Sequence, residues 1–266
     1  MKAIISASAI VALAFLSLST TPVHSFQSGC PTNGPLSCPT PTMAVNDCCV
    51  EVASGQFILS QAWDVNPSVG PANSFVISRL LTDKCDGTFE QNCDASRDYT
   101  GISDLLNAQG PPGFLSKMQT FWPADAGNQD EQLWEQVWAA SGTCLSTLDL
   151  SCLPAGSPMG ADAVAYFNAT MNLFESLPTY QWLSNAKVLP SSDQTYTLDN
   201  LISVLQSTYG YTPAIECKDN VLIKVNWYFN LKGSFADGEF VPFDAPQSST
   251  CASSGIQYLP KTTTAQ

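Results

Sequence analysis

Histidine is nearly missing from this chain: His24 is the only one among 266 residues. Positive charge is scarce as well, with 10 Lys and Arg against 23 Asp and Glu, for a net charge of −13. Such a chain repels a phosphate backbone at long range, which argues against tight, nonspecific nucleic-acid binding at neutral pH. A small substrate cleft stays open as an option, because an acidic exterior loses much of its charge at low pH. Cys-x-x-Cys pairs of the zinc-site kind are absent, and no histidine stands ready to complete one, so neither metal nor cofactor is expected. Beyond the first residues no apolar run reaches the length of a membrane span, and no membrane partner is expected.

What is present first sets a compartment. Met1-Lys2 is a short basic start, Ala3 to Leu18 is broadly apolar, and a polar stretch ends at Val23-His24-Ser25. This pattern reads as a secretory signal peptide over residues 1–25, and an extracellular protein. Its removal would leave a mature chain with no imidazole and one more unit of negative charge. Ten cysteines, an even number, suit an exported protein with five disulfides, although the count alone cannot pair them.

Residues 26–50 are rich in Pro, Ser, Gly and Cys and read as a disulfide-pinned segment. "GQFILSQAW" (Gly55 to Trp63) and "SFVISRLL" (Ser74 to Leu81) read as strands, with a proline-broken loop between them. Helices are expected at Gly101 to Gly110 and at Asp130 to Ala140. A third runs over Ala161 to Leu177, where Val164, Phe167, Met171 and Phe174 recur at helical steps. Asn168-Ala169-Thr170 is a glycosylation sequon one position off that stripe. Thr197 is placed as the N-cap and Gly210 as the stop of a further helix. "VLIKVNWYFNLKG" (Val221 to Gly233) is a long strand that can pair with Gly238 to Pro246. Mixed strands and helices without β-α alternation favour one α+β domain over 26–266, with a frayed tail at 262–266. A monomer is expected.

These segments carry a family resemblance. "SFVISRLLTDKCDGTFEQNCD" followed by "LWEQVWAASGTC" resembles the two signature blocks of the T2 family of secreted acid ribonucleases. "YFNATMNLFESLPTYQWL", "YTLDNLISVL" and "GEFVPFDAP" resemble its fungal branch. The resemblance implies a central antiparallel sheet flanked by helices. It also implies the pairing Cys30–Cys49, Cys38–Cys85, Cys48–Cys152, Cys93–Cys144 and Cys217–Cys251. The first block of the family runs aromatic-x-x-His-Gly-Leu-Trp-Pro. Here Ser78 stands where the histidine belongs and Leu81 where a base-stacking tryptophan belongs. The second runs His-Glu-Trp-x-Lys-His-Gly-Thr-Cys. Here Gln136, Val137, Ala140 and Ser141 take the four reactive positions, while Trp138, Gly142, Thr143 and Cys144 are kept. On a helix, residues 136, 137, 140 and 141 form one stripe. Gln61 and Asp83 match family residues near the phosphate and the base and are possible vestigial ligand contacts. Trp134 and Trp138 are expected in the core.

In family members with the full motif, one imidazole takes the ribose 2'-hydroxyl proton and another protonates the leaving 5'-oxygen. Each such group is worth roughly 10²–10⁴ in rate. Serine neither ionises nor protonates near neutral pH, and it becomes a nucleophile only beside a base. The expectation is therefore no catalytic residue: a secreted pseudoenzyme with a binding or effector-like role and weak RNA or nucleotide binding, or a protein partner. The alternatives are a disulfide-rich structural or storage protein and, third, a residual T2-type endoribonuclease. An open rather than plugged cleft at Ser78 and Ser141 separates binding from storage.

Overall fold

The computed structural model describes residues 30, 34–38, 48–125 and 129–261. The expected signal segment, His24 and the tail at 262–266 lie outside the described residues.

Strand β5 (Val221–Lys232) is the spine of the sheet. Strand β1 (Gln56–Ala62) pairs antiparallel along one side of it, and β2 (Val76–Asp83) pairs antiparallel with β1. Along its other side β5 is shared: β4 (Ala214–Lys218) takes the first half and β6 (Glu239–Phe243) the second, both antiparallel. Among the described residues the only parallel pairing joins Val221 to Gln257 of β7 (Ile256–Gln257), which in turn pairs with β3 (Thr195–Tyr196). The period-2 alternation of β1 sends Phe57, Leu59, Gln61 and Trp63 into the main core, and β5 adds Val225, Trp227, Phe229 and Leu231. Ser60, Ala62, Lys224 and Asn226 point to the other face.

Helices cover the apolar face: α1 (Ile102–Gln109), α2 (Phe114–Phe121), α3 (Asp130–Ala140), α4 (Ala161–Glu175), α5 (Thr179–Asn185) and α6 (Leu198–Tyr209). The α4 stripe is buried as expected, but so is most of the helix circumference, including Ala163, Ala165 and Tyr166. It is a central helix rather than an amphipathic surface one, and Asn168 is half-buried on it. The caps of α6 match the sequence reading. Thr197 accepts a hydrogen bond from the Asn200 amide at 3.1 Å, and Gly210 adopts φ 94° at the end.

Five disulfides join the pairs that the family resemblance implied. Gly55 packs against one of them so tightly that a Cβ there would collide with the sulfurs of Cys38 and Cys85. Near the end of the chain, the ammonium of Lys261 is buried. It donates to the carbonyls of Val69 (2.6 Å), Ser74 (2.8 Å) and Pro71 (3.2 Å) and lies 4.5 Å above the Trp63 ring. Burial pushes its pKa down to about 8, opposed by Asp64.

Candidate functional site

Helix α3 presents two unlike faces. Trp134 and Trp138 are buried, and their indole N–H groups donate to the carbonyls of Trp122 (2.8 Å) and Arg97 (2.6 Å). Gly142 is required just beyond the helix, because a Cβ there would enter the Trp138 ring. Arg97 fixes the same corner by donating to the carbonyls of Thr143 (2.6 Å) and Leu148 (2.9 Å). The carboxylates of Glu131 and Glu135 reach sideways to α1. Glu135 accepts from the Gly101 amide at 2.8 Å, and Glu131 accepts from the Ser103 amide at 3.0 Å and from its hydroxyl. They act as N-terminal caps for a helix whose own cap residue, Gly101, has no side chain to offer.

The opposite face of α3 looks onto a groove made of two joined hollows, about 570 Å³ and 400 Å³. Ser78, Gln136, Val137, Ala140 and Ser141 all line the larger one, so the five positions inferred from the two motifs do meet in space. Ser78 arrives there through a bulge. Arg79 pairs with Ser60 and Ile77 with Gln61, leaving Ser78 as the extra residue of β2, without a partner in the β1 ladder. A bulge of this kind re-aims a side chain, and here it delivers position 78 to the groove. The groove is open, not plugged.

Asp83 lines the smaller hollow, and its carboxyl is held above the ordinary range by burial. Gln61 is not a groove residue. The inward phase of β1 buries it completely, its amide donates to the Leu177 carbonyl at 3.0 Å, and its oxygen has no hydrogen-bond partner among the described residues. Sequence reasoning missed several groove residues. Arg79 and Lys224 line both hollows, Asp64 and Asp125 the larger, and Glu216 and Phe89 the smaller. Phe89 is 65% exposed, an aromatic ring at a rim where Leu81 offers none. The strand alternation that buries Val225 and Leu80 would have turned Lys224 and Arg79 outward, but only once the register was known.

Asp64 is the most perturbed carboxyl of the larger hollow. Burial raises its pKa first and the charge of Asp125 second, while Lys261 and Lys224 pull it back. Among the described residues no group of three or more metal-ligating side chains forms, and no helix is long and apolar enough to cross a membrane.

Residues 54–238 match the model of the ribonuclease T2 family. Ribonuclease Le2 of Lentinula edodes is 49% identical over 237 residues, covering 88% of this chain and 98% of that protein. Ribonuclease Trv of Hypocrea rufa is 41% identical over 232 residues, covering 87% and 98%. The crystal structure of Actibind, a T2 ribonuclease, superposes with a TM-score of 0.82 at 37% identity, covering 87% of this chain and 98% of that one. These relatives overturn the expectation of an inactive binding, effector-like or storage protein. Proteins named as ribonucleases align along nearly the whole chain, which points to an enzyme. The reading that fits them is the third one, a T2-type endoribonuclease.

Proposed function

Because the chain belongs to the ribonuclease T2 family, we propose that it is a secreted endoribonuclease whose groove takes single-stranded RNA. The observation that carries this reading is the open double hollow with the whole motif stripe on its wall and ionisable groups facing that stripe. Residues 1–25 act as the export signal, and 26–266 work as one domain.

The positions that carry imidazoles in the family hold Ser78, Gln136 and Ser141 here, so proton transfer falls to other groups of the groove. Asp64 is the candidate proton acceptor for the 2'-hydroxyl, and water supplies the proton that the departing 5'-oxygen takes up as its bond to phosphorus breaks. The raised pKa of Asp64 brings the carboxyl closer to the range in which a base both exists deprotonated and binds a proton usefully. Arg79 and Lys224 supply the positive charge that a crowded phosphate needs. Ser78, Gln136 and Ser141 offer hydroxyl and amide groups that hydrogen-bond to phosphate oxygens but do not relay protons. Replacing an imidazole pair costs on the order of 10⁴–10⁸ in rate, so the turnover is a residual one, sustained by binding and charge.

The test is incubation of purified protein with a single-stranded RNA in the presence of a chelator, with detection of 2',3'-cyclic phosphate ends. Cleavage is expected, slow, and faster by about 10⁴ or more in a variant combining Ser78→His, Gln136→His, Val137→Glu, Ala140→Lys and Ser141→His. No cyclic ends above a mock-purified blank would refute the reading.

A further inference from the structure

Five residues are shared by the two hollows, and two of them are cationic, Arg79 and Lys224. We propose that this pair is a strand-borne phosphate clamp, gripping one RNA phosphodiester at the waist so that the flanking nucleotides enter the two hollows. The proposal rests on the RNA-binding reading above and adds to it the register in which the strand lies.

The distribution of charge singles out the waist. Asp64 and Asp125 line the larger hollow, and Asp83 and Glu216 the smaller. A phosphate set fully into either hollow would meet carboxylates, whereas at the waist it meets both cations, with Glu216 opposite Lys224 across the β4–β5 ladder as the one carboxylate beside them and Ser78, Gln136 and Ser141 within the adjoining wall. The acidic lobes instead suit hydrogen-bond donors, such as base amines and ribose hydroxyls. Glu216 and Asp83 both act electrostatically on the Tyr228 hydroxyl, which places the two carboxylates around one point of the smaller lobe.

The two cations are free to act. Neither forms a salt bridge or side-chain hydrogen bond with another described residue, whereas Arg97, Lys84, Lys117, Lys232 and Lys261 all have fixed partners. Their register converges them. Arg79 faces Ser60 across one edge of β1, and Lys224 faces Ala62 across the other, so they flank β1 on the same face. Two strand spacings of roughly 4.8 Å and a two-residue offset of roughly 6.8 Å along β1 put their backbones about 12 Å apart, a gap that two long side chains can close onto one phosphate between them. Arginine can hold two phosphate oxygens in its planar fork, and lysine adds a point charge. The family's lysine position on α3 is Ala140 here, so the charge reaches the groove from the sheet instead of the helix.

The test uses an uncleavable 2'-O-methyl oligonucleotide and the dissociation constant between 50 and 200 mM salt. Arg79→Gln with Lys224→Gln is expected to weaken binding about tenfold or more for all sequences alike. The slope of log K against log salt should become shallower by about 0.7, the value for one phosphate on a single strand. Arg79→Lys, which keeps the charge, should retain the slope. Lys117→Gln removes an equal charge from the Glu175 ion pair elsewhere and should leave both quantities near wild type. A double variant that binds like wild type, or no differently from Lys117→Gln, overturns the clamp alone. A wild-type protein that fails to bind at any of these salt concentrations overturns the RNA reading and the clamp with it.

Discussion

Asp64 and Ser78 both line the larger hollow, and only Asp64 carries a carboxyl that can gain or lose a proton in the acidic range. That asymmetry gives a residue-scale prediction. A base works deprotonated, so the cleavage rate should climb with pH through the raised Asp64 pKa, and Asp64→Asn should both flatten that limb and lower the rate at least tenfold. The stability sign is the reverse. The folded carboxyl holds its proton to a higher pH than the unfolded one, so its contribution to stability falls as pH rises from the ordinary carboxylate range through the raised pKa. A pH–rate profile of the two proteins, with thermal melts alongside, reads both effects. Lys261 carries the opposite sign. Its folded pKa of about 8 lies below the ordinary 10.5, so the unfolded chain binds the extra proton and this group favours folding progressively as pH rises between the two values.

At the scale of elements, α3 separates holding from reacting by a single step along the chain. Glu135 braces α1 while Gln136 faces the groove. Replacing Glu135 with Ala should therefore cost about 1–3 kcal/mol, the price of orphaning the Gly101 amide, and leave RNA cleavage per folded molecule unchanged. Denaturant unfolding and an activity assay on the same preparation would check both halves. The same helix shows what the sequence made legible. Its boundaries, its buried tryptophans and its reactive stripe follow from helical spacing and from the two motif blocks, as do β1, β2, β5 and the capped α6. Helices α2 and α5 and strand β4 do not announce themselves. Phe114–Phe121 and Thr179–Asn185 are short, and Ala214–Lys218 is held to β5 by pairing across the sheet rather than by any local pattern. Gln61 misled for a related reason. A motif match names a neighbour in sequence, but the phase of a strand decides which face that neighbour occupies. Arg79 and Lys224, 145 positions apart in the chain by their numbering, become a pair only through β1 between them.

At the scale of the molecule, the groove depends on two chain segments being held together: the loop after β2 and the end of α3. Cys93–Cys144 does this across a separation of 51 residues. Closing a loop of that length restricts the unfolded chain by about 4 kcal/mol. Cys93→Ala with Cys144→Ala should lower unfolding stability by up to that amount, and limited proteolysis should cut first near the groove while the Cys217–Cys251 end stays intact. The Glu51 carboxylate adds a second long-range tie. It is buried and accepts hydrogen bonds from the amides of Ser54 (3.2 Å), Ser146 (3.0 Å) and Thr147 (3.1 Å).

The bulge in β2 has its own bearing on how such a site changes over time. Ser78 belongs to no rung of the ladder, so exchanging its side chain leaves both neighbouring rungs intact. Chemistry at that spot is uncoupled from the scaffold: a histidine can be lost or regained there while the sheet around it stays as it was.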